Sequence, residues 1–134
     1  MKSMFRYLVV FSMSIYALWF FIPYVTIHFS LYSKEISDIL SWTGLDALIG
    51  YKAQDIIGYI FLFSFLVVSV GLFKFKIWAK IGFILLTLIS IFATPLSGLM
   101  ILPVIDSMLF QIMNLADGII ISLMYFSSLR NEFH

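Results

Sequence analysis

From Ile77 to Ser127 the chain carries only Lys80, Asp106 and Asp117 as charged residues. A water-soluble fold of this size cannot cover so long an apolar run. One bilayer crossing takes about 20 apolar residues, so the run is too long for one crossing and right for two. Pro95, Gly98, Pro103 and Asp106 are its only breakers, and the reversal is expected among them. The spacing predicts membrane helices over residues 77–95 and 107–127, with an apolar connection dipping into the interface.

The rest of the chain follows the same rule. It is 63% hydrophobic and 11% charged, against about 25% charged in soluble domains. Its 134 residues suit one integral membrane domain, 1–134. A first crossing is expected over 7–27, with Trp19, Phe20, Phe21 and Tyr24 forming an aromatic belt and Pro23 a kink. Lys2 and Arg6 precede it as in a signal peptide, but the run is long and lacks an A-x-A-like site, which favours a retained helix. A second crossing is expected over 56–73. Lys74, Lys76 and Lys80 then surround Phe75 and Trp78, and are expected to snorkel to the headgroups. The tail from Leu129 to His134 reads as polar, with His134 disordered.

Residues 31–54 differ in composition. They hold Lys34, Glu35, Asp38, Asp46 and Lys52. Ile36, Ile39 and Leu40 have helical spacing, and Leu45, Leu48 and Ile49 repeat it. Two short interfacial helices are expected. Ser33 would cap the first, a Thr43–Asp46 capping box would open the second, Gly50 would stop it, and Trp42 would anchor the segment. The fold class is therefore all-α: a four-helix transmembrane bundle with short interfacial helices in the first outer loop. Six of the eight Lys and Arg residues fall on the side of the termini, which places both termini in the cytoplasm.

Several function classes are excluded. The net charge is +1 and no basic tract exists, so nucleic acid is no partner. Cysteine is absent, which removes disulfides and thiolate metal sites. His28 is the only histidine outside the tail, so no metal site and no cofactor is expected. The signatures G-x-x-x-x-G-K-[ST], G-x-S-x-G and H-E-x-x-H are missing.

What remains is polar chemistry inside the spans. A mid-membrane carboxylate costs roughly 2.5–3.5 kcal/mol on insertion scales, so Asp117 should face protein or water. Gln111, Asn114, Asp117 or Gly118, and Ser122 recur at i, i+3, i+7 spacing and form one stripe of the helix. Tyr16, Thr87 and Asp117 fall near the middles of their spans, with His28, Asp55, Ser90, Asn114 and Gln111 toward the outside. These eight residues form the candidate ligand or proton site, open outward and narrowing to Asp117. Asp117 itself is expected to be protonated, or hydrogen-bonded to Tyr16, Thr87 or Asn114. The competing reading is structural: polar side chains fix helix register, and Thr87 and Ser90 bond their own backbone.

Lys76-Ile77-Trp78-Ala79-Lys80, then Asp117-Gly118, then Tyr125-Phe126-Ser127 resemble a pattern in small uncharacterised four-helix bacterial inner-membrane proteins. The resemblance covers Lys74 to Phe133. It implies a bacterial inner-membrane location and a four-helix bundle, and no activity. Disulfide-generating four-helix families need cysteine pairs. Small multidrug exporters carry their acidic residue in the first helix, where this chain has none.

The first functional expectation is a non-enzymatic accessory or partner-binding membrane component. Its partners would be bilayer lipids, another membrane protein or further copies of itself. The alternative is a small transporter or a proton or cation conduit centred on Asp117. The third is a membrane enzyme acting on lipid through Asp117 or Asp55.

Overall fold

The computed structural model describes residues 1–29, 32–40 and 42–134, and all of their side chains except those of Tyr24, Ile27 and Tyr51. The aromatic-belt expectation for Tyr24 therefore lies outside the described side chains. The fold is all-helical: α1 is Lys2–His28, α2 Lys34–Leu40, α3 Tyr51–Phe73, α4 Ile77–Ala93 and α5 Val104–Phe126. Short 3-10 turns, Thr94–Ser97 and Ser128–Glu132, follow α4 and α5. Among the described residues four stretches are long and apolar enough to cross a membrane: Lys2–Pro23, Lys52–Phe73, Ile77–Ser97 and Val104–Phe126.

The helices extend beyond the apolar runs that announce them. α1 starts at Lys2 rather than Tyr7 and continues through Pro23 to His28. Its first turns bury Phe5 and Val9, and Lys and Arg are good helix formers, so nothing halts it earlier. α3 starts at Tyr51 instead of Ile56, taking in Lys52, Gln54 and Asp55. Gly50, expected as a stop, lies extended just ahead of α3 as its N-terminal flank (φ −62°, ψ 150°). The reversal between α4 and α5 lies at residues 98–103, among the expected breakers.

The first loop departs from expectation. Ser33 does cap α2, its Oγ accepting from the Ile36 N–H at 3.5 Å. The second interfacial helix does not form. Gly44 and Asp46 take left-handed backbone (φ 85° and 57°), which interrupts a helix there. The segment instead pairs with the α4–α5 connection. Gly44 N–H donates to Leu99 O at 2.7 Å, Leu99 N–H to Leu45 O at 2.9 Å, and Leu48 N–H to Leu96 O at 3.2 Å. Two apolar loops thereby satisfy each other's backbone groups, which an apolar interface would leave unpaired. Gly98 permits this approach. Its φ is 74°, and an added Cβ would lie 2.6 Å from Ala47 N.

α1 is the centre of the bundle. It packs antiparallel against α5 on one side and α3 on the other, and α3 carries α4. Rings make the seams. Tyr16 stacks on Phe65 with centroids 4.5 Å apart, Phe65 meets Phe83 at 5.8 Å, Phe20 meets Tyr59 at 5.4 Å, and Trp19 meets Phe110 at 5.9 Å. Gly71 lets α3 and α4 close, since a Cβ there would sit 2.7 Å from the Trp78 ring.

Both termini lie at one end, and the tail is docked there rather than free. Phe5, Phe75 and Phe133 form a three-ring cluster with centroids 5.4–6.0 Å apart. His134 N–H donates to Phe75 O at 3.1 Å, and Ile77 N–H donates to His134 O at 3.2 Å. The second bond satisfies an otherwise orphaned N–H at the start of α4. Lys2 pairs with Glu132 at 2.7 Å, an exposed contact that contributes little. Leu129 and Phe133, four residues apart within a polar stretch, supply the apolar anchor.

Candidate functional site

Asp117 is half-buried between helices, and its partner is Ser12. The Ser12 hydroxyl, 1% exposed, donates to Asp117 Oδ1 at 2.8 Å. The register explains the choice. Trp19 of α1 lies against Phe110 of α5. Two helical turns from that contact along each antiparallel helix, about 10.5 Å, bring Ser12 and Asp117 together. Ser12 continues the buried face of Phe5, Val9 and Tyr16. A serine on an otherwise apolar stripe is the signal that could have identified it.

Among the described residues none of the three expected partners is hydrogen-bonded to Asp117, although Tyr16 lies near enough to interact with it electrostatically. Tyr16 is buried one turn along, with its ring stacked on Phe65. The Thr87 hydroxyl donates to Phe83 O in its own helix at 2.9 Å. Asn114 is exposed. The Ser90 hydroxyl likewise stays within α4, donating to Thr87 O at 2.8 Å. His28 and Asp55 are exposed, and the His28 ring meets Phe29 edge-on at 5.2 Å. Among the described residues no three His, Asp or Glu side chains converge on a metal position. The eight residues therefore do not gather into one pocket. Among the described residues there are surface grooves of about 410 and 160 Å³, and Asp117 lines neither of them.

On α5 the expected polar stripe runs through Gly118 rather than Asp117, and it faces outward. Gln111, Asn114, Gly118 and Ser122 are all exposed. Their spacing, i, i+3, i+7 and i+11, sets them on one stripe of the helix. The space beside Gly118 is open: a Cβ there would meet no atom within 4 Å. The amides thus point away from the bundle, on a stripe flanking the side that holds Asp117.

Two further polar groups were not expected. Lys80 turns inward instead of snorkelling. It is 9% exposed, and its Nζ donates to Met124 O at 3.0 Å while lying 4.1 Å from the Tyr125 ring centroid. Placed there it caps the carbonyl end of α5, where a cation is favoured. Asp106, read from sequence only as a breaker, is 5% exposed in the first turn of α5, and its Oδ1 has no hydrogen-bond partner among the described residues.

No protein-family model matches the chain, and no curated protein or solved structure is significantly similar to it.

Proposed function

We propose that this protein is a non-enzymatic, multi-pass component of a bacterial inner membrane, with both termini cytoplasmic. It acts by binding another membrane protein, or another copy of itself, through the outward stripe of α5. The observation that carries this reading is the exposure of Gln111 and Asn114 beside the open space at Gly118. An unpaired amide in hydrocarbon costs several kcal/mol. Facing a second helix, the same amides bond across the contact, and the small residues Gly118 and Ser122 let two backbones approach closely. The orientation rests on the six basic residues at the end that holds the termini.

A proton or cation conduit is the second reading, favoured by one observation, the buried Ser12–Asp117 pair. A register-fixing hydrogen bond between α1 and α5 accounts for the same pair without transport. A lipid-acting enzyme draws least support, because Asp55 is exposed and, among the described residues, no second titratable side chain is hydrogen-bonded to Asp117.

The test is a photocrosslinking side chain placed at Asn114 or Gly118 in intact membranes, with Leu88 and Ile89 on the exposed face of α4 as comparison. The reading expects a discrete protein adduct from the α5 positions, lost when Gln111 and Asn114 are both replaced by Leu. Adducts of equal yield from both helices, or adducts indifferent to those replacements, contradict it.

A further inference from the structure

Beyond the α5 face, the geometry points to a binding site for an anionic phospholipid in the groove between α3 and α4, with the phosphate held by Lys74 and Lys76. This groove of about 410 Å³ is lined by Val67, Val70, Gly71, Lys74, Lys76 and Trp78. Its parts are graded along the helix axis. Val67 and Val70 form the apolar wall. Lys74 stands at the rim, four residues beyond Val70 and seven beyond Val67, or about 6 and 10.5 Å along the axis, and Lys76 follows it past the end of α3. A separation of that order parts the upper acyl chain from the phosphate.

Local backbone explains why both lysines border one groove. Phe75, between them, takes left-handed backbone (φ 55°) and buries its ring against Phe5 and Phe133. Its neighbours on either side are thereby left at the rim. Neither Lys74 nor Lys76 is in an ion pair with a carboxylate among the described residues. The third lysine of the cluster takes no part, because Lys80 is spent on Met124 O. Gly71 supplies the floor: with no Cβ, it allows the Trp78 indole to lie close against α3. The half-exposed indole then forms one side of the groove at headgroup depth, where tryptophan is favoured.

An apolar wall, two unpaired cations and an indole together match one class of ligand, a lipid carrying net negative charge. A soluble phosphate would leave the valines unused. A zwitterionic lipid would bring its own ammonium group against the lysines. The volume takes a headgroup and the upper part of one chain, and the rest of the lipid stays in the bilayer.

Trp78 is itself the reporter. In the W19F/W42F variant it is the only tryptophan left. That protein is reconstituted in phosphatidylcholine vesicles containing brominated phosphatidylglycerol or, separately, brominated phosphatidylcholine. The expected result is quenching by the brominated anionic lipid that saturates at low mole fraction, with roughly tenfold preference over the zwitterionic one. In K74Q/K76Q the preference falls to near unity while circular dichroism still shows the full helix content. Equal quenching by the two lipids in the parent protein overturns the site, and that comparison needs no lysine variant. Quenching that rises linearly with mole fraction also overturns it, since that is bulk lipid. Relief of quenching by millimolar glycerol 3-phosphate overturns it too, because it would show a site for a soluble anion.

Discussion

Ser12 and Asp117 show how a single hydrogen bond can reinforce the pairing of two helices. Ser12→Ala leaves a half-buried carboxyl oxygen without its donor. The expected loss is about 1 kcal/mol, between the ~0.6 average for polar contacts in membranes and the ~1–3 for a stranded buried group. A double-mutant cycle with Asp117→Asn, read by thermal unfolding in detergent, should give a coupling above about 0.5 kcal/mol. Simple additivity would show that the two side chains do not depend on each other. Gly98 is a second decisive residue. Gly98→Ala forces a side chain into left-handed backbone against Ala47, and should lower stability by at least ~1–2 kcal/mol in the same assay. Asp117 is conspicuous in the sequence because a carboxylate within an apolar run is conspicuous. Its partner is not, because Ser12 depends on how α1 and α5 slide past each other, and that register is set by distant contacts such as Trp19 on Phe110.

At the scale of elements, the long helices follow directly from hydropathy, since each is a local property of its own residues. The start of α4 at Ile77 and the reversal near Gly98 are expected from sequence for that reason. The second interfacial helix fails for the opposite reason. Leu45, Leu48 and Ile49 carry helical spacing, yet the backbone of this segment bonds Leu96 and Leu99, about fifty residues away in sequence. No window around residue 45 contains that partner. The tail fails in the same way. Its composition is polar, and its two apolar residues find a cluster built by Phe5 and Phe75. Deleting residues 128–134 uncovers that cluster and removes the burial of Leu129 and Phe133. At roughly 1.5–3 kcal/mol for each side chain, the truncated chain should lose about 3–6 kcal/mol, and limited proteolysis should cut near residues 73–77 first. Unchanged protease resistance would mean the tail is dispensable.

The whole molecule divides into two kinds of surface. One end holds both termini, the docked tail and the α3–α4 groove with its two lysines. Along the length of α5 runs the stripe of Gln111, Asn114, Gly118 and Ser122. Replacing Gln111 and Asn114 with Leu should leave the isolated chain as stable as before or slightly more so, because among the described residues neither exposed amide is hydrogen-bonded within the bundle, while abolishing capture of the proposed partner. A substitution that destabilised the isolated chain by several kcal/mol would instead assign those amides to the bundle interior.

The central claim is that this stripe is covered by protein in the native membrane. The chain has no cysteine, so single cysteines at Asn114, Gly118, Leu88 and Ile89 can each carry a spin label. The direct measurement is the oxygen accessibility of these labels in native membrane vesicles. The account predicts values at Asn114 and Gly118 well below those at Leu88 and Ile89. Equal, lipid-like accessibility at all four positions would contradict it.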